Sequence, residues 1–360
     1  MARDKIYQQV ANFLQKAIDS GELKAGEAIY SENLLCEKLG VSRTSVRKAI
    51  RLMVERNILV SRQGKGTFIK SNGSGVIYNA LCLVNHYSRL LRYDVVDSYY
   101  SDIIYGAETC ARDNGFDFSI FSREFHTFEE ARKLFCKLKY DGLIIDGACQ
   151  REAPDYLKNL YSNLAIVDGN PECGEIPVAA PDAESGFSAL LELASRRSGP
   201  VFYLSHEHGE NYRWRNISFQ RAAEKAGIPY TYIDFGKNIH PDLFSHLGGG
   251  HYPLILQIIK EYAKPQNAGG TFIAGCDYIA SKLIIALNHL GFSVPGDFAV
   301  SGFCGIGFSG LTVPALTTVK VDPLELVRNT VEMVIDQING KKSGSDNRIV
   351  PVGVIKRESL

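Results

Sequence analysis

Arg43, Thr44, Ser45 and Arg47 stand close together in the run 41–50, V-S-R-T-S-V-R-K-A-I. Forked guanidiniums and small hydroxyls at that spacing share an exposed helix face, and such groups bond base edges in a major groove and the flanking phosphates. A second set follows in R-Q-G-K-G, where Arg62, Gln63, Gly64 and Lys65 combine basic charge with glycines. Glycine permits positive φ and a close backbone approach to phosphate or minor groove. Both sets describe contact with duplex DNA.

The elements that must hold these groups can be read around them. Ile6, Val10, Phe13, Leu14, Ala17 and Ile18 recur at three- and four-residue spacing, which predicts a first helix ending at Ser20-Gly21. Ser31 is expected to cap a second helix through Leu39, with Gly40 as the left-handed residue of a sharp turn. Ser42 then caps a third helix to about Asn57, which buries Val46, Ala49, Ile50, Met53 and Val54 and displays Lys48 and Arg51 beside the four residues above. Short β-prone runs at 58–62 and 67–70 flank the 63–66 turn as a wing. Asn33, on the second helix, is placed to bond a phosphate or an adenine edge. The polar, glycine-rich stretch 71–75 reads as a flexible linker, dividing the chain into a head, 1–70, and a body, 76–360.

Charge agrees with that division. The whole chain balances 40 basic against 40 acidic residues, but 1–75 holds 13 Lys and Arg against 7 Asp and Glu, so the head carries +6 and the body −6. A basic end on an acidic body suits phosphate contact by one end only. Eight cysteines include no C-x-x-C pair and no clustered histidine to complete a zinc site, so no metal is expected and the thiols read as reduced packing residues. No apolar run is long enough to span a membrane and no export signal is read at residues 1–10, so the chain is expected to stay in the cytoplasm. His206 and His208, near Glu207 and Glu210, read as a solvated loop.

The body alternates apolar strands at 76–85, 116–121, 142–145, 164–167, 201–204, 230–235, 271–274 and 298–302 with helical stretches between them. That rhythm predicts an α/β fold of parallel sheets covered on both faces, in two lobes, with any ligand at strand carboxyl ends. The helical run 324–338 has apolar spacing that ordinary core burial explains.

Ser31-Glu32, the run 41–50 and R-Q-G-K-G-T-F-I at 62–69 resemble the GntR family of winged helix-turn-helix regulators. The resemblance implies DNA contact through Arg43, Thr44, Ser45, Arg47, Gln63 and Gly64; at Asn33 the family often has Arg. In the body, Y-D-G-L-I-I-D at 140–146, R-N-I-S-F at 215–219, L-G-F-S-V-P-G-D-F-A-V-S-G-F at 290–303, P-A-L-T-T-V at 314–319 and I-K-R-E-S at 355–359 resemble the LacI/GalR effector domain, which is similar to periplasmic sugar-binding proteins of the type I fold. This resemblance covers 76–360. The combination is that of arabinose-repressor-like regulators, and it implies an effector held between the lobes. By position the effector falls to Asp97, Tyr99, Tyr100, Asp146, Asp168, Trp214, Arg215 and Asp277. Carboxylates and a guanidinium suit vicinal hydroxyls and aromatic faces suit sugar C–H groups, so a carbohydrate is the expected ligand. Cys276-Asp277 replaces the family's usual Asn-Asp, and Cys304 stands where Asp is common. The implied function is a ligand-responsive repressor, homodimeric on a pseudo-palindromic operator, with no cofactor and no enzymatic activity. The open alternatives are a ligand-activated activator, a pyridoxal-phosphate enzyme-like body, or a solute-binding protein.

Overall fold

The computed structural model describes residues 3–20, 22–23, 27–55, 58–62, 66–69, 79–85, 98–122, 140–150, 157–158, 161–236, 252–341 and 346–360. The expected linker, the 63–65 turn with Gln63, Gly64 and Lys65, Asp97, the helical stretch expected near 128–138 and the glycine run at 248–250 lie outside them.

The head is built as its sequence predicts. Helix α1 spans Arg3–Asp19, α2 Glu32–Leu39 and α3 Arg43–Glu55, followed by antiparallel strands β1, Leu59–Arg62, and β2, Gly66–Ile69. The Ser31 hydroxyl accepts from the Leu34 amide at the start of α2, and Gly40 closes it at φ 62°. Those two residues fix the turn that sets α2 against α3, because few other residues adopt that φ without strain. Leu14, Leu35, Val46, Met53, Leu59 and Ile69 form a closed core of the head's own. Val54 is half-buried, at the rim of that core.

The body has two lobes built to one plan. In the first, β3 (Ala80–Asn85), β4 (Asp117–Ser122), β5 (Gly142–Asp146), β6 (Leu164–Val167), β7 (Val178–Pro181) and β13 (Arg348–Val350) run parallel in the order β4-β3-β5-β6-β7-β13. In the second, β8 (Val201–Ser205), β9 (Tyr230–Asp234), β10 (Thr271–Ala274), β11 (Ala299–Cys304), β12 (Thr317–Lys320) and β14 (Gly353–Ile355) take the same order, β9-β8-β10-β11-β12-β14, with the β12–β14 pair antiparallel. Central strands such as L-A-I-V of β6 and T-F-I-A of β10 are buried along their whole length, as strands covered on both faces must be.

Helix α4 is Ser98–Asp113, α5 Ala183–Ala194, α6 Glu210–Ala226, α7 Tyr252–Tyr262, α8 Asp277–His289 and α9 Pro323–Ile338. Helix α9 lies on α4 and the first sheet, burying Leu326, Val327, Val331, Val334 and Ile338, with Ile335 half-buried. Helices α5 and α6 pack together on the second lobe. The chain therefore passes between the lobes at 181–183, 320–323 and 350–353. Asp182 caps α5 through the Ser185 amide and its own amide donates to the Val350 carbonyl at 2.8 Å, tying two crossings together. Asp322 caps α9 through the amides of Leu324 and Glu325. No helix among the described residues is long and apolar enough to cross a membrane.

Candidate functional site

The exposed face of α3 carries Arg43, Thr44 and Arg47, with Ser45 partly covered. Arg43 directs its fork at the Asn33 side-chain oxygen, with Nε at 3.1 Å and Nη2 closer still. Asn33 thus holds the guanidinium that opens α3. Arg47 pairs with Glu32 at 2.9 Å, and both side chains remain in solvent. The Ser42 hydroxyl accepts from the Ser45 amide at 3.3 Å, the capping contact expected at this N-terminus. Lys48 lies over the Tyr7 ring at 4.3 Å, so its charge is turned toward α1. Arg62 ends β1 opposite Gly66, at the foot of the wing.

The second constellation stands where the carboxyl ends of the two sheets meet. Tyr99, Tyr100, Asp168, Asn211, Tyr212, Arg215, Cys276, Asp277, Tyr278, Cys304 and Ile306 line one cavity of about 40 Å³. Asp168 follows β6 with φ at 52°, a left-handed conformation that turns its carboxylate toward the other lobe. Arg215, on α6, meets it across the gap at 3.1 Å, with both side chains almost fully buried. The guanidinium also donates to the Gly275 carbonyl at 3.1 Å and sits between the rings of Phe303 and Tyr212, at 4.9 and 5.0 Å from their centroids. Its third nitrogen, Nε, is buried with no hydrogen-bond partner among the described residues. A buried N–H left in that state costs about 1–3 kcal/mol, which a ligand oxygen would recover.

Burial raises the pKa of Asp168 above its ordinary value, outweighing the opposing pull of Arg215. Asp277 is fully buried: its carboxylate accepts the Thr318 hydroxyl at 2.5 Å and the Ile306 amide at 2.9 Å, and burial still pushes its pKa up to about 7. Gly302 makes room for that carboxylate, since a Cβ there would lie 2.2 Å from Asp277 Oδ1. The thiols of Cys276 and Cys304 are likewise pushed up by burial, and Tyr99 is raised for the same reason.

Two expected members stand elsewhere. Trp214 does not line the cavity: one position before Arg215, it is rotated about 100° around α6. Its indole is buried and donates to the Pro181 carbonyl at 3.1 Å, anchoring the helix to a lobe crossing. Asp146 also stays outside, because its carboxylate turns back to accept the Ala148 amide at 2.9 Å and caps the short turn 147–149. His206 is buried rather than solvated, with its ring 3.7 Å from that of Tyr212. Asn211 and Tyr212 were not expected; they stand one turn before Arg215 on the same face of α6, and helical spacing back from Arg215 would have found them. Among the described residues, no group of three or more His, Cys, Asp or Glu is placed to hold a metal.

Residues 6–69 match the bacterial regulatory proteins of the gntR family, and residues 188–360 match the periplasmic binding protein-like domain. The chain is 24% identical over 348 residues to the arabinose metabolism transcriptional repressor of Geobacillus stearothermophilus, covering 92% of this chain and 91% of that one. Among solved structures, the periplasmic binding ribose operon repressor protein of Lactobacillus acidophilus is similar with a TM-score of 0.63 at 18% identity, over 79% of this chain and 99% of that one. The lac repressor dimer bound to operator and the anti-inducer ONPF gives 0.61 at 17% identity, over 78% and 93%. Head, body and relatives agree: the chain is a transcriptional regulator in which a gntR-family DNA-binding domain is joined to a periplasmic-binding-protein-like body.

Proposed function

We propose that the chain is a homodimeric repressor in the cytoplasm that leaves a pseudo-palindromic operator when a small carbohydrate enters between its lobes. The buried Nε of Arg215, unpartnered among the described residues, carries this reading, because it points to a ligand oxygen at the contact between the lobes. Asp168, Asn211, Tyr99 and Tyr100 around it can donate to and accept from sugar hydroxyls, and the rings of Tyr212 and Phe303 offer flat apolar cover. Relatives named for arabinose and ribose repression support the ligand class. The lobed body follows the periplasmic-binding-type fold, which favours a sensor over a transaminase-like enzyme.

About 40 Å³ holds a few water molecules and no sugar. Entry of a ligand therefore parts Asp168 from Arg215 and turns the lobes about their three crossings. A second copy fits the apolar face of the second lobe. Ile285 stands two turns beyond Tyr278 on α8, the Tyr278 ring lies 4.9 Å from Phe308, and Leu311 and Val313 beyond it are 82% and 84% exposed. Pairing two copies there sets two heads on two half-sites at high effective concentration.

Gel shift of duplexes from the protein's own locus, at low ionic strength and with a panel of mono- and disaccharides, tests the reading. One sugar should release the wild type, while Arg215→Ala stays bound and unresponsive. Failure to bind such duplexes, or release of Arg215→Ala at the wild-type sugar concentration, overturns it.

A further inference from the structure

We propose that the second lobe has another small-molecule site, on the side of α6 turned away from Arg215, for a neutral polyhydroxylated ligand of mono- or disaccharide size. A cavity of about 350 Å³ lies there. That is within the roughly 300–1,000 Å³ of ordinary ligand sites. Glu210, Arg213, Ile217 and Gln220 recur along α6 at three- and four-residue spacing and line it, whereas Asn211, Tyr212 and Arg215 line the interlobe cavity. The two cavities thus lie on nearly opposite faces of one helix.

The lining decides the ligand class. Arg213 stands 3.8 Å from Glu207 and 3.6 Å from Glu210, so the cluster keeps one net negative charge, which disfavours phosphates and other anions. A hydrocarbon would cover these groups without bonding them. Neutral hydroxyls can donate to the carboxylates and accept from Arg213, while Tyr230 and Tyr232 of the edge strand β9 cover the C–H faces. Glu210 is 3% exposed and accepts the amide of Asn170, from the first lobe, at 3.0 Å. An occupant would therefore touch both lobes and favour the arrangement in which they meet, by its differential affinity for that arrangement. This coupling rests on the interlobe reading of Arg215; the cavity does not.

Calorimetry of the full chain with D-glucose, D-galactose, L-arabinose, cellobiose and lactose tests the site, on wild type, Arg215→Ala and Gln220→Trp. Gln220 is exposed on α6, so Trp there fills the cavity mouth without entering the core. At least one sugar should bind Arg215→Ala saturably, with a Kd raised tenfold or more by Gln220→Trp. If no sugar shows binding sensitive to Gln220→Trp, the second site is overturned. If Gln220→Trp weakens all binding and Arg215→Ala none, the second site stands and the interlobe reading falls.

Discussion

Asp168 and Arg215 form a buried pair whose halves are not equivalent, because a carboxyl can discharge by taking a proton and a guanidinium cannot. Asp168→Asn leaves a buried cation with the Gly275 carbonyl and two rings for company. The expected loss is about 3 kcal/mol, at the low end for removing one half of a buried pair, since the amide oxygen still accepts one bond. Asn tolerates the φ of 52° at this position, so backbone strain does not enter. Arg215→Met keeps most of the apolar stem and leaves Asp168 without its cation, with Tyr99 and Asn211 as hydrogen-bond neighbours. Burial already holds Asp168 above its ordinary value against the pull of Arg215, and without that pull it rises further. The folded variant then binds more protons than the unfolded chain between the two pKa values, so its stability falls as pH rises through that window. The Arg215→Met penalty should accordingly grow as pH rises through that window, whereas the Asp168→Asn penalty should shrink as pH rises above the ordinary carboxylate range, because that variant lacks the proton-linked loss of the wild type. Trp214, the only tryptophan of the chain and a buried neighbour of Arg215 on α6, reports urea unfolding by fluorescence. A flat Arg215→Met penalty, or an Asp168→Asn penalty under about 1 kcal/mol, refutes this account of the pair.

Arg43→Ala should weaken operator binding by about 1–3 kcal/mol at fixed salt, and Asn33→Ala by less, because Asn33 orients the fork; equal gel-shift affinity for Arg43→Ala and wild type removes Arg43 from the interface. Asp277, held at about 7 by burial, keeps a proton that the unfolded chain loses from about pH 4 upward, so its contribution to stability falls as pH rises to about 7, by at most about 4 kcal/mol. Asp277→Asn should flatten the pH dependence of the thermal midpoint over that window, and an unchanged slope contradicts the assignment. Leu311→Asp should shift the sedimentation mass from dimer to monomer; an unchanged dimer excludes that face.

Elements specified by local chemistry were legible in advance. Ser31 and Gly40 bracket α2 as caps, and the apolar runs of β6 and β10 fall at the positions their composition marks. Strands β7, β12, β13 and β14 were not legible: V-A-A-P, T-T-V-K, R-I-V and G-V-I are short, and β13 is defined by pairing with β7, far earlier in the chain. In the site, Asp168 could be placed because it stands just after a strand end, whereas Arg215, the sixth residue of α6, was placed by the resemblance. Trp214 could not, since a single step along α6 carries a side chain from the cavity to the lobe crossing at Pro181. Asp146 shows the other limit, for a carboxylate at a strand end caps its own turn as readily as it binds a ligand.

The interlobe pair also bounds how hard a ligand can drive the head. A sugar that takes the Nε of Arg215 recovers one stranded donor, and it gives up the direct contact with Asp168 unless a hydroxyl bridges the two. The net preference for the parted lobes is the difference between terms of similar size. Only that net difference can shift operator affinity, about 1–3 kcal/mol of it corresponding to a 5- to 150-fold change. The chain enters the body at the amino end of β3, whereas the cavity lies at the carboxyl ends, so under the proposed mechanism a turn of the first lobe would have to act on the head from the far end of its sheet. In a dimer that turning changes the separation of the two tether points. A rigid pair of half-sites then converts a modest lobe rotation into the loss of one head's contacts, which is the larger part of the affinity that pairing supplied.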